Sequence, residues 1–451
     1  MPTRLLSFLL LTLGIAPVTR AAETVTFNHD IAPLLYRHCA SCHRPGEAAP
    51  FPLLSYADAT RKGKTIAKAT ATHLMPPWKA EPASYAYRDE RRLSATEIAL
   101  IGAWLEQGMP EGTGPKPEPP KFPAGWQLGE PDLIVELPAS FPVPADGPDI
   151  YRNFAVALGL TEDRWVTAID MRPTARAAVH HVLYFADPTG RLHQKPAQGA
   201  QPGFSGMRAG GASVPLGGWA IGAQPHLLPD GLALKLPKGS DLVIQYHFHP
   251  TGKPETEKSR IGLYFAKQPP GRTLTRIQMP PAYSLFSGLD IPAGEKDFVI
   301  RDSYVLPVAA EAIGAGAHAH YIGKRLKMTA TFPDGEVKTL LSIADWDFAW
   351  QDRYFFQQAV PLPAQTKLEV EIHWDNSAEN PRNPSQPPTR VTWGEESKDE
   401  MGSISLLVVP KQEAEIATLR EDMTRRRNEL ARTRLRADPE LAGKLKTLLA
   451  E

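Results

Sequence analysis

Cysteine is almost missing: the chain has two in 451 residues, both inside one motif. A scaffold built on disulfides is thereby excluded. No excess of one charge exists either, with 50 Lys+Arg against 50 Asp+Glu and a formal net charge of zero. Nothing in that balance attracts a phosphate backbone, so no nucleic-acid partner is expected. Beyond the first fifteen residues no run approaches 18 apolar residues, so no membrane span is expected in the mature chain. Proline, by contrast, is plentiful, at 45 residues. That is roughly twice the usual share, which argues for turns and edge strands over long helices. With 42% hydrophobic and 22% charged residues, the composition is that of a water-soluble chain. Its length suggests about three domains.

Residues 1–22 read as a secretory signal peptide. Arg4 precedes the apolar run Leu5 to Ile15, and small residues follow at Ala21 and Ala22. The apolar part is too short to span a bilayer. The expected location is therefore the periplasm, or the outside, of a bacterial cell.

Both cysteines fall in Cys39-Ala40-Ser41-Cys42-His43. C-x-x-C-H is the spacing of c-type haem attachment: two thiols form thioethers with the haem and the following imidazole ligates its iron. A redox pair or a structural disulfide are the competing readings. Around the motif, residues 23–112 read as helical. Asn28 or Asp30 caps a helix through Leu34, Leu35 and Tyr36, residues 57–73 have helix-forming composition, and Ser94-Ala95-Thr96-Glu97 forms a capping box. Ile98, Ile101, Trp104 and Leu105 then share one face. Three helices around C-x-x-C-H resemble a class I cytochrome c domain, which implies a distal iron ligand. Met75 is the choice, with Met109 and His73 as alternatives.

Residues 113–124 are a proline-rich, semi-rigid linker. Beyond it short β-rich runs recur between Gly/Pro turns: Asp132–Leu137, Arg164–Met171, His180–Phe185, Leu242–His249, Arg260–Phe265, Lys324–Phe332, Lys367–Trp374 and Ser403–Val409. That spacing suits β-sandwiches. The length suits two of them, at 125–268 and 269–410. Residues 411–451 read as a charged helix with a narrow apolar stripe of Ile416, Leu419, Met423 and Leu430. It is expected to pack on its own domain or to be partly free, since its heptads break too soon for a coiled coil.

Histidines cluster in the β region, as His180-His181, His247-Phe248-His249 and His318-Ala319-His320. On a strand, residues i and i+2 share a face, so H-x-H can offer two imidazoles to one metal. An adjacent pair does so only at a bend or strand end. Zinc and copper both accept imidazole, and a thioether would favour copper(I).

Several of these segments resemble the copper type II monooxygenases, the family of peptidylglycine α-hydroxylating monooxygenase and dopamine β-hydroxylase. They are Val179–Phe185 with its two histidines, Val243–Pro250 followed by Ser259–Tyr264, Ala317–Lys324 with its H-x-H, and Asp399–Ser403 with Met401. The resemblance covers roughly residues 130–410, in the same order. It implies two jelly-roll-like β domains, each with a copper ion, flanking a solvent cleft. The whole fold expectation is thus a small all-α cytochrome c domain, two all-β sandwich domains and a C-terminal charged helix. By resemblance, His180, His181 and His247 hold an electron-supplying copper. His318, His320 and Met401 hold the copper where O2 is activated, and they are the catalytic residues. The activity implied is hydroxylation of a C–H bond of a small organic substrate. Electrons would come from a redox protein or an ascorbate-like reductant and pass through the haem bound at Cys39, Cys42, His43 and Met75. A copper- and haem-binding electron carrier without catalysis is the competing class, and a haem protein with a structural zinc module is a third.

Departures from the family limit the inference. The β region has no cysteine at all, and no Arg or Tyr matches a binder of a substrate carboxylate. Neither a peptidylglycine nor a catecholamine is inferred. His193 and His226 read as surface or loop residues and His373 as packed. Asp345, Asp347, Asp352 and Arg353, near Trp346 and Trp350, read as a loop at the cleft with no role assigned.

Overall fold

The computed structural model describes residues 24–47, 49–123, 125–197, 201–205, 214–221, 223–229, 231–281 and 285–438, with 440, 441 and 443. The expected signal peptide, residues 1–22, lies outside the described residues. No helix among the described residues is long and apolar enough to cross a membrane.

Most of the regular structure is β. The α-helices are α1 (Ala32–His38), α2 (Tyr56–Ala71), α3 (Ala95–Glu106) and α4 (Ile416–Ala437). In α2, Ala59, Gly63, Ile66 and Thr70 recur at helical spacing and form the buried face. The Ser94–Glu97 capping box opens α3 as its sequence suggests. α1 is only seven residues long, and the turn before it is capped by Thr26, whose side chain accepts from His29 N–H.

The expected all-α cytochrome c domain is not what the N-terminal residues form. Between α2 and α3 the chain runs without helix and straps itself across a β-sandwich. Trp78, Ala80 and Tyr87 belong to the same core as Met328, Tyr354 and Trp374. The Glu81 N–H donates to the Ser342 carbonyl at 2.8 Å, the Arg88 N–H to Phe355 at 2.7 Å, and Tyr87 bridges to Phe356. The physical reason lies in the strap itself. Pro76, Pro77 and Pro82 remove N–H donors, and the aromatic residues lack helical spacing, so both needs are met at a sheet edge.

Two stacked pairs of sheets follow. In the first, a five-stranded sheet runs in the order Leu133–Glu136, Arg260–Phe265, Arg164–Arg172, Leu232–Leu236 and Arg272–Thr273. It faces a four-stranded sheet of Ile150–Ala157, Asp241–Phe248, Val179–Asp187 and Val214–Ala220. Val135, Met171 and Leu263 from one sheet meet Phe154, Tyr184 and Tyr246 from the other in one core. In the second pair, Thr275–Met279, Gly402–Pro410, Ala310–Ala319 and Arg353–Leu362 face Phe298–Val305, Lys367–Trp374, Gly323–Thr331 and Val337–Ile343. Leu274, between the Arg272 and Thr275 strands, marks the crossing from one sandwich to the other.

α4 docks on the second sandwich. Leu419 is fully buried there and Met423 packs beside it. Arg426 pairs with Asp302 and lies 5.2 Å from the centre of the Tyr304 ring.

Candidate metal centre

His180 and His181 open the Val179–Asp187 strand, where its register against Asp241–Phe248 slips. Val179 pairs with Phe248 and His181 with His247, which leaves His180 as an extra residue. Such a bulge re-aims a side chain, so two adjacent histidines can share one side of the sheet. The result is a tight triad. The Nδ1 atoms stand 3.2 Å apart for His180 and His181, 3.1 Å for His180 and His247, and 3.3 Å for His247 and His181. Three nitrogens at that spacing lie on a circle of radius about 1.8 Å, so an ion at the usual ~2.0 Å imidazole distance reaches all of them. Burial, and then the neighbouring His247, lower the His180 pKa to about 3. Burial drives His181 down as well. Neutral imidazoles are what a metal requires.

Asp149 anchors this triad. One carboxylate oxygen accepts from His247 Nε2 at 2.8 Å and the other from His249 Nδ1 at 2.8 Å. His249 is therefore a partner of the anchor, half-exposed, and not a member of the triad. Burial pushes Asp149 upward. Hydrogen bonds from His247, Ser397 and His249 more than offset it and hold the carboxyl well below its ordinary range. Ser397, from the second sandwich, donates to Asp149 at 2.7 Å and lies 2.9 Å from the Tyr151 hydroxyl. One carboxylate thus ties a histidine of the first sandwich to a loop of the second.

That loop shapes the second group. In the Ala310–Ala319 strand, His318 pairs with Ser403 and Ala319 with Gly402. Continuing this register sets His320 opposite Met401, and both are buried. The His318 and His320 ring centres are 5.2 Å apart. His318 Nδ1 meets Gln351 Oε1 at 2.5 Å, and His320 Nδ1 meets the Asp399 carbonyl at 3.0 Å. With Nδ1 engaged in both, Nε2 is the ring nitrogen left for a metal. Burial lowers His318 to about 4 and His320 to about 3. Glu400 holds the corner together. Its carboxyl accepts from the N–H groups of His320, Ile322 and Met401 and from Trp374 Nε1. Burial raises its pKa to about 8 against the pull of those donors.

Phe348 stands between the two groups. Its ring centre is 5.1 Å from His180, 5.8 Å from His247, 5.4 Å from His320 and 4.8 Å from Tyr321. A phenyl ring therefore occupies space that a solvent cleft would leave open. Among the described residues, His180, His181 and His247 are the three His, Cys, Asp or Glu residues whose donor atoms gather within 4.8 Å. His318 and His320 do not form such a group.

The N-terminal motif is built differently. Cys39 and Cys42 are unpaired thiols. Burial raises the Cys39 pKa to about 12 and raises Cys42 as well. Acidic, reactive C-x-x-C pairs show the opposite shift. His43 Nδ1 meets the Phe51 carbonyl at 3.0 Å, which leaves Nε2 available to a metal. Met75 sits half-buried just past α2, with its N–H on the Ala69 carbonyl at 3.1 Å. Met109 packs into the N-terminal core against Gly63, and His73 is exposed. His373 joins Asp297, Glu371 and Arg325 on an outer sheet and lies in neither group.

Asp149, Gln351, Phe348, Ser397 and Glu400 escaped the sequence reading as functional residues. Only Glu400 had a local signal, its place beside Met401. No protein-family model and no curated protein matches this chain. Distant likenesses exist among solved structures. The major capsid protein P2 of bacteriophage PM2 is 10% identical with a TM-score of 0.24, over 62% of this chain and 97% of that one. The VP2 subviral particle of infectious bursal disease virus is 9% identical with a TM-score of 0.18, over 62% and 72%. PNGF-II is 10% identical with a TM-score of 0.23, over 61% and 66%. Scores this low carry no argument about fold or function.

Proposed function

We propose that this chain is a copper-dependent monooxygenase that also carries covalent haem, in the periplasm or outside the cell. The observation behind the reading is that two histidine groups, one from each sandwich, meet across the single ring of Phe348. Copper at both would supply electrons singly and a centre for O2 activation, and so hydroxylate a C–H bond of a small organic substrate. The chain's own residues do the rest. His180, His181 and His247 turn three Nδ1 lone pairs to one point. Asp149 fixes the His247 tautomer by holding the proton at Nε2. Gln351 and the Asp399 carbonyl do the same for His318 and His320 at Nδ1. The Met401 thioether adds a soft donor that favours the lower copper oxidation state. Phe348 keeps water from between the groups. At the N-terminus, protonated Cys39 and Cys42 and the oriented His43 suit thioether attachment and iron ligation. An external reductant, a redox protein or an ascorbate-like molecule, would deliver electrons there.

Phe348 also favours a second reading, a copper and haem electron carrier, because its ring fills the space a substrate would need. Metal analysis of copper-loaded chain decides first. The expected result is two coppers per chain, falling to about one in both His181→Ala and His318→Ala. Failure to hold copper, or preference for zinc, would sink the proposal. With two coppers bound, O2 consumption by the reduced protein that is lost in Met401→Ala supports the oxygenase. Inertness toward O2 supports the carrier.

A further inference from the structure

Asp149 belongs to the first sandwich, yet two of the side chains that face it come from the second. Ser397 donates to it at 2.7 Å, and the Tyr321 hydroxyl faces both Asp149 and Ser397. Tyr321 directly follows His320, and Ser397 lies four residues before Met401. Short stretches of chain therefore join both contacts to the second histidine group.

The loop between Ser397 and that group is closed on itself. Trp393 bridges to Glu400, the Asp399 N–H donates to the Glu396 carbonyl at 2.9 Å, and the Glu396 N–H donates to the Asp399 carboxylate at 3.2 Å. Gly394 has no Cβ to strike that carboxylate. A loop so cross-linked moves as one piece, so what holds Ser397 also holds the Asp399 carbonyl. That carbonyl accepts the His320 Nδ1 proton at 3.0 Å and leaves Nε2 free.

The triad end of this chain of contacts has two arrangements. Three Nδ1 atoms face one another within 3.3 Å. Without a metal, a proton moved to one Nδ1 turns a contact of lone pairs into an N–H···N hydrogen bond. On His247 that shift strips Nε2 of its proton, and the Asp149 oxygen 2.8 Å away then meets a lone pair instead of a donor. Asp149 must turn, and its contacts to Ser397 and Tyr321 loosen. A metal on the triad needs all three Nδ1 lone pairs. It therefore selects the arrangement in which His247 donates to Asp149 and Asp149 holds the loop.

We propose that Asp149, Ser397 and Tyr321 are positioning residues that couple the two histidine groups. A metal bound by the triad raises the affinity of His318, His320 and Met401 for a second metal. The coupling rests on the reading of both groups as metal sites. Linkage makes it reciprocal, and such couplings are usually about 5–150-fold. Direct repulsion between two cations would give the opposite sign.

The test is anaerobic titration of the full-length chain with copper(I) against a chromogenic chelator. His318→Ala reports the triad alone, and His181→Ala reports the second group alone. In wild type the product of the two binding constants should exceed the product of these single-site constants about fivefold or more. The same cycle in Ser397→Ala should still show two coppers, each at its single-site affinity, with no excess. Tyr321→Phe should lower the excess, and Ser397→Thr, which keeps the hydroxyl, should restore it. A second readout needs no metal at the second group. In His318→Ala, copper(I) on the triad should slow hydrogen exchange at the amides of residues 396–401, and Ser397→Ala should abolish that slowing. Two coppers without excess in wild type, or the same excess in Ser397→Ala, overturn the coupling and leave both sites standing. A folded wild-type chain that holds fewer than two coppers overturns the reading of the sites, and the coupling with it.

Discussion

Asp149 shows how much of the site depends on one residue that no motif marks. Its two oxygens are shared by His247, His249 and Ser397, so it sets a ligand's tautomer and also links the sandwiches. Asp149→Asn replaces one acceptor oxygen with an amide donor that cannot receive the His247 proton. Loss of such an orienting partner typically weakens metal binding about 10–100-fold. Competition titration should show that loss at the first site and two intact sites in Ser397→Ala, which keeps the carboxylate. Equal affinity in Asp149→Asn and wild type would mean that His247 is oriented by packing alone, for example by the Tyr151 ring stacked on it at 4.4 Å. The histidines themselves were legible in the sequence because they sit side by side or one apart. Asp149, Gln351 and Phe348 were not, because each acts on side chains well removed from it along the chain and has no pattern of its own.

At the scale of elements, what the sequence betrayed was local chemistry. The α3 capping box, the helix-forming composition of 57–73 and the β-rich runs Arg260–Phe265 and Lys367–Trp374 all appear as helices or strands where read. The strand that bears His318 is different. Ala310–Ala319 reads AEAIGAGAHA, whose glycines and alanines have little β preference, and it is held by its neighbours on both sides. The bulge at His180 is likewise a product of pairing. The strap at 74–93 misled most. Its aromatic residues serve a core that lies some 250 residues later in the chain, so a segment read as part of an N-terminal helical domain belongs instead to the second sandwich. Tyr87 gives this consequence a test. Its ring stacks on Phe356 at 5.6 Å, and its hydroxyl donates to the Leu340 carbonyl at 2.7 Å. Tyr87→Ala should cost about 3–5 kcal/mol, as large-to-small core changes of aromatic residues do. Tyr87→Phe should cost about 1 kcal/mol, the usual net value of one hydrogen bond. Urea unfolding of the second sandwich, followed through its buried Trp346 and Trp374, measures both. An unchanged midpoint in Tyr87→Ala would mean the strap is not part of that core.

Across the whole molecule, half-buried and buried imidazoles on either side of Phe348 make the junction of the sandwiches sensitive to acid. Burial lowers His180 and His320 to about 3 and His318 to about 4, below the ordinary histidine value near 6.5. Between those limits the unfolded chain binds protons that the folded chain refuses. The histidine contribution to the stability of the metal-free chain then falls as pH drops below about 6.5, and levels off near 3–4 as the folded state takes up the same protons, while Glu400, raised to about 8, contributes the opposite slope. Each such histidine contributes a slope of up to about 1.4 kcal/mol per pH unit inside that window. Carboxylates add slope at the lower end, so the histidine share is isolated by difference. A His180→Ala, His318→Ala double variant should show a shallower decline from pH 6.5 to 5, where ordinary carboxylates are still ionised and Glu400 behaves alike in both chains. Copper should hold the wild-type curve flat to lower pH, because metal and proton compete for the same lone pairs. Thermal melts at half-unit pH steps, with and without copper, provide the comparison. Parallel curves for wild type and the double variant would mean these imidazoles reach water and charge freely in the folded chain. Phe348 would then not seal the junction, and the two groups would face an open cleft after all.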